Sequence, residues 1–117
     1  MTDLPLLAYK VLTGPQMAQL EADGVFKGAA VDLADGYIHL STEAQLTETV
    51  DKHFAGQDDL HVAAVDLAAL GSAVKWEPSR GGQLFPHIYG DLPLNAVVAY
   101  SPMERDQNGT VRLPIAS

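Results

Sequence analysis

The 117-residue chain contains no cysteine. That excludes a disulfide framework, a thiolate nucleophile, an iron–sulfur cluster and any cysteine-ligated zinc. Positive charge is scarce as well. Seven Lys and Arg stand against fifteen Asp and Glu, a net charge of −8. The seven bases, Lys10, Lys27, Lys52, Lys75, Arg80, Arg105 and Arg112, are spread singly along the chain. A scattered set in an acidic background gives no stripe for a phosphate backbone or an anionic membrane, so neither nucleic acid nor a membrane is expected as a partner. A small ligand needs only one or two local cations. No apolar run approaches the ~20 residues of a membrane span. The first ten residues lack the basic and apolar regions of a signal peptide, so a cytoplasmic location is expected. There is no His-x-x-x-His pair, no histidine has a carboxylate beside it at ligand spacing, and no metal site is expected. The G-x-G-x-x-G, P-loop and G-x-S-x-G patterns are also missing, which removes the common nucleotide fingerprints and the serine-hydrolase elbow.

What is present reads as one α+β domain over residues 1–117, with two main helices, about six strands and a partly antiparallel sheet. Leu6–Leu12 has high β-propensity, with Leu7, Tyr9 and Val11 on one face. Thr13 and Gln16 predict a capping box that opens a helix running to Asp23, stopped by Gly24. Residues 25–35 show no period and predict an ordered loop closed by Asp35-Gly36. Tyr37–Ser41 alternates as a strand, placing Ile38 and Leu40 on one face and Tyr37, His39 and Ser41 on the other. Thr42 and Gln45 predict a second capping box, opening a helix to about Ala55 with Leu46, Val50 and Phe54 along its buried edge. The apolar run Val62–Val65 predicts a central strand covered on both faces. One helical turn at Leu67–Leu70, a strand over Ala73–Glu77 ended by Pro78 and a strand over Ala96–Ser101 follow. Asn108-Gly109 signals a hairpin, with Val111–Pro114 pairing back.

The stretch Trp76–Gly90 is the richest in functional groups. It holds the only Trp, together with Glu77, Arg80, a Gly81-Gly82 pair, Phe85, His87 and Tyr89. Arg80 cannot be packed by its small neighbours and suits bidentate recognition of phosphate or carboxylate, with the glycines permitting close approach of a ligand. Glu77, three residues away, fits either an ion-pair partner of Arg80 or a general base. His87, on a strand face with Phe85 and Tyr89, reads as its companion acid/base or as a packing residue at a strand edge. Tyr89 and Tyr37 offer rings for stacking. His39 and Ser41 lead through Thr42 into a helix start whose free N–H groups suit an anionic or hydroxyl-bearing ligand.

Asp35-Gly-Tyr-Ile-His-Leu-Ser41, Trp76-Glu-Pro-Ser79 and Phe85-Pro-His-Ile-Tyr-Gly90, with Leu92-Pro93 and Ala96-Val97 after them, closely resemble the bacterial family known as domain of unknown function 952. Gly28, Asp32, Gln45, Phe54, Asp59-Leu60, Asp66 and Gly82 fall where that family's pattern expects them. Met17 and Ala29 depart from it, standing where a Trp and the Ser of a Gly-Ser pair are common. The resemblance implies a compact ADP-ribosyltransferase-like fold, a split and bent, mostly antiparallel sheet with flanking helices. It implies that His39 and Ser41 contact the ribose of NAD and that Tyr89 or Tyr37 stacks on its nicotinamide. The expected function is therefore binding of NAD, ADP-ribose or a related phosphate-bearing metabolite, with Tyr37, His39, Ser41, Thr42, Arg80 and Tyr89 as ligand contacts. Glu77 and His87 are the candidate catalytic acid/base residues of an NAD-using enzyme. The alternative is a non-catalytic module for a small anionic metabolite or a protein segment.

Overall fold

The computed structural model describes residues 5–114, apart from the side chain of Arg80. Strand β1 (Leu7–Thr13) runs into helix α1 (Gly14–Asp23) through the expected capping box. The Gln16 amide donates to Thr13 Oγ1 at 3.3 Å, and the Thr13 amide donates to Gln16 Oε1 at 2.9 Å. Gly24 ends the helix at φ 73°, the left-handed conformation that glycine adopts without a Cβ clash. Replacing Thr13 with alanine is expected to cost about 1 kcal/mol in urea unfolding, since it leaves a helix N–H without its acceptor. Thr42→Ala should cost less, because the Thr42 hydroxyl caps nothing and only the Gln45 half of the second box forms, at 3.0 Å.

Residues 25–35 are not a loop. They form strand β2 (Val25–Phe26) and helix α2 (Ala30–Asp35). A six-residue helix makes under two turns, too few to show a period. What starts it is the Asp32 carboxylate, which accepts the Ala29 amide at 2.7 Å. Strand β3 is shorter than expected, Ile38–His39, because Leu40 falls opposite Pro86 of β6, which has no N–H to return, and Ser41 pairs with Tyr9 instead. The Leu40 amide donates to Pro86 O at 3.1 Å, while Ser41 and Tyr9 exchange two backbone hydrogen bonds, at 2.7 and 2.9 Å.

Helix α3 (Glu43–His53) buries Leu46 and Val50, with Phe54 half-buried at its end. Then come β4 (Leu60–Asp66), the single turn α4 (Leu67–Leu70), β5 (Val74–Pro78), β6 (Leu84–Ile88), β7 (Leu92–Pro93) and β8 (Val97–Pro102). All pairing is antiparallel. The strands make sheets of order β1-β4-β8 and β3-β6-β5 and a small β2-β7 pair. The expected return strand at Val111–Pro114 reduces to one bridge between Arg105 and Val111 around the Gly109 turn. Its Val111 amide goes to Thr47 Oγ1 at 3.0 Å instead of continuing a ladder.

Strand β4 is central and covered on both faces. Ala63 and Val65 join Leu12, Met17, Leu20, Ile38, Leu40 and Ile88 in one apolar cluster. Val62 and Ala64 join Tyr9, Val11, Leu46 and Val50 in the other. The Tyr9–Ser41 bridge ties the edge of the first sheet to the chain leaving β3, and residues of both sheets line a cleft beside that junction.

Candidate functional site

Strand β6 lies in the middle of its sheet, so His87 is not at a strand edge. His39 of β3 is directly opposite it on one side and Lys75 of β5 on the other. Side chains opposite one another on one face of a sheet come into contact. The His39 and His87 ring centroids are 5.4 Å apart, and the Tyr37 ring stacks on His87 at 4.1 Å while lying 4.8 Å from His39. Tyr89 adds a fourth ring, 5.2 Å from Tyr37. Ile38 and Leu40 point the other way, into the core.

Each histidine is held by carboxylates that the spacing along the chain did not reveal. His87 Nδ1 lies 2.8 Å from Glu77 Oε1, the same oxygen that accepts the Tyr89 hydroxyl at 2.8 Å. Glu77 is two residues beyond Lys75, the cross-strand partner of His87, and this diagonal is within reach of two long side chains. The two hydrogen bonds, from His87 first and Tyr89 second, hold the Glu77 carboxyl below its ordinary range. The bond to Glu77 in turn raises the Tyr89 phenol, whose ring also faces Lys75 Nζ at 5.0 Å.

His39 Nδ1 lies 2.6 Å from Asp32 Oδ1, and its Nε2 lies 2.9 Å from Asp35 Oδ2. Asp32 is 1% exposed and also accepts the His39 and Ala29 amides and the Lys10 ammonium, the last at 3.0 and 3.2 Å. Burial alone would raise the Asp32 carboxyl. The His39 bond, the Lys10 charge and the two amides outweigh it and push the group well below the usual carboxylate range. Lys10, 5% exposed, donates to the His39 carbonyl at 3.1 Å as well, and burial lowers its ammonium in spite of Asp32. Lys10, Asp32 and Asp35 are the site residues that sequence reasoning missed. The available signals were a lysine in phase with Ala8 and Leu12 on a strand, and an aspartate four residues before His39.

The cleft beside these groups encloses about 600 Å³, within the range of small-molecule sites. His39, His87, Lys10, Asp35, Ser41 and Ser79 all line it. Ser41 is buried, with Oγ 2.8 Å from Thr49 Oγ1. Thr42 does not line it. That residue belongs to a separate depression with Leu7 and Glu43. Glu77 and Tyr37 touch the imidazoles and Tyr89 touches both of them, but none of the three is among the residues that line the cleft. The backbone of Arg80 lies in the turn joining β5 to β6. Gly81 and Gly82 serve that turn with φ 68° and 78°, and no atom lies within 4 Å of where their Cβ atoms would be. The positive φ requires a glycine at each position, and the open space there leaves room for a group to approach. Among the described residues no group of three or more His, Asp or Glu could hold a metal ion. Asp32 and Asp35 sit at opposite nitrogens of His39 and share no common point. Nor is any described helix long and apolar enough to cross a membrane.

The match of a family model over residues 11–100 shows that the chain belongs to the DUF952 family of proteins of unknown function. Protein CC0527 from Caulobacter crescentus is a similar solved structure. Its crystal structure is 43% identical, covers 91% of this chain and 93% of its own, and superposes with a TM-score of 0.83. Its solution structure is 44% identical, covers 92% and 91%, and gives 0.78. No curated protein matches the chain.

Proposed function

We propose that the cleft binds NAD, ADP-ribose or a related small phosphate-bearing metabolite, on a compact ADP-ribosyltransferase-like arrangement of split sheets. The observation that carries this reading is the pair of carboxylate-held imidazoles, 5.4 Å apart, at a cleft of about 600 Å³. Two stitched antiparallel sheets with His39 and Ser41 at their junction support the ribose contacts that the resemblance implies. A ribose hydroxyl or phosphate oxygen reaching His39 Nε2 replaces Asp35, whose side chain is 45% exposed and free to swing outward. Arg80 supplies the charge-assisted contact to phosphate from the β5–β6 turn. Tyr37 is packed against His87 and serves as the backing of the site, which leaves Tyr89, 41% exposed and outside the cleft lining, to stack on a ring of the ligand that projects beyond the cleft. The engagement of both His39 nitrogens by carboxylates favours a second reading, a non-catalytic module that uses the same cleft.

Titration calorimetry with NAD, ADP-ribose, AMP and inorganic phosphate tests the proposal. His39→Ala and Arg80→Ala are each expected to weaken binding by about ten- to a hundredfold, the worth of a hydrogen bond to a charged group. Absence of heat from all four compounds with the wild type at millimolar concentration would sink it.

A further inference from the structure

We infer that His87 is a general base acting inside the cleft through Nε2, with Glu77 as its positioning residue; this rests on the cleft being the ligand site. The hydrogen bonds distinguish the two imidazoles. A carboxylate can only accept, so a neutral ring bonded through Nδ1 to Glu77 carries its proton on Nδ1 and presents a lone pair at Nε2. His39 has a carboxylate at each nitrogen, and in the proposed binding mode the ligand itself takes Nε2 from Asp35, so His39 keeps no nitrogen for a water.

Among the described residues nothing bonds His87 Nε2, although the residue is 2% exposed. His87 lines the cleft, Glu77 is not among the residues that do, and the Nδ1 edge of the ring is turned to Glu77, so Nε2 is the nitrogen on the cleft side. A buried imidazole, oriented by a carboxylate that is itself fixed by the Tyr89 hydroxyl and backed by the Tyr37 ring, has the parts of an acid/base dyad. The groups facing it are Glu77, Tyr89, Tyr37, His39 and, across the strand, Lys75.

The step is hydrolytic. Water gives its proton to Nε2 as its oxygen bonds to the electrophilic carbon or phosphorus of the ligand. The bond to the departing group breaks, and its electron pair leaves with that group. The proton on Nε2 then passes to the departing group or to solvent.

The test uses the whole chain with NAD and with ADP-ribose as probes. Turnover is expected to fall by at least about a hundredfold in His87→Ala and to be partly restored by free imidazole, with calorimetric binding changed only severalfold. Glu77→Gln should lower the rate by about tenfold and let the ring populate both tautomers in the NMR spectrum, because an amide can donate as well as accept and no longer holds the proton on Nδ1. Long-range proton–nitrogen NMR of the wild type should show Nδ1 as the protonated nitrogen of His87. A probe that binds without turnover overturns the inference and leaves the binding reading standing. If neither probe binds, the binding reading falls and the His87 tautomer decides the inference, a protonated Nε2 overturning it and a bare Nε2 supporting it.

Discussion

Asp32→Asn is expected to lower stability by about 3–5 kcal/mol, the loss found when one member of a buried ion pair is removed. At a few degrees per kcal/mol for a domain of this size, that is a fall of roughly 10–20 °C in melting temperature. The size follows from how much converges on one side chain. Asp32 accepts from the Lys10 ammonium, the His39 ring and two amides, and every one of those donors is aimed at a carboxylate. An amide offers one acceptor oxygen in place of two and turns an NH2 group toward donors. Lys10, 5% exposed, is then left as a buried charge without its partner, although loss of its proton limits the damage.

The same pair sets an acid dependence. Because folding depresses the Asp32 carboxyl, its stabilisation is fully present above the ordinary carboxylate value near 4. It is lost progressively as pH falls below that value toward the depressed one, since the unfolded chain takes up the proton first. The difference in stability between wild type and Asp32→Asn should therefore be largest near neutrality and shrink below about pH 4. A variant that melts within 2 °C of wild type at pH 7, to take ~2 °C as the resolution of a small ΔΔG, would show that the pair is dispensable.

The local features of the fold were legible in the sequence because short-range rules govern them. The two-residue strand period put Ile38 and Leu40 inward and His39 outward, and the Thr13–Gln16 spacing marked the start of α1. The unbroken run Val62–Val65 identified the strand buried on both faces. Apart from Asp35, four residues before His39, the carboxylates of the site were not legible, since each reaches its histidine through the fold. Asp32 acts through a helix too short to show a period, and Glu77 meets His87 only through the register of β5 against β6. Gly81-Gly82 shows the same limit. A glycine pair looks the same in the sequence whether it makes room for a ligand or lets a hairpin turn through positive φ, and the positive φ of this turn became visible only in the folded chain.

Ile88→Ala is expected to cost about 2–5 kcal/mol, the range for removing a large aliphatic side chain from a packed interior. Ile88 is fully buried on the central strand β6, opposite Ile38 on one side and Val74 on the other. Truncation leaves a cavity in the cluster that also holds Leu12, Met17 and Leu20, and two flanking strands cannot collapse into it without shifting their own hydrogen bonds. The neighbour on the chain is His87, whose alignment with His39 and Glu77 depends on that three-strand register. The variant should therefore lose stability and also loosen the site, seen as faster amide exchange at Ile38, His39 and Tyr89 than at the β1–β4 ladder. Val98→Ala, at an exposed position on β8, is the control and should stay within about 0.5 kcal/mol of wild type. If Ile88→Ala unfolded in urea within about 1 kcal/mol of wild type, β6 would not be the strand on which the packing of the site rests.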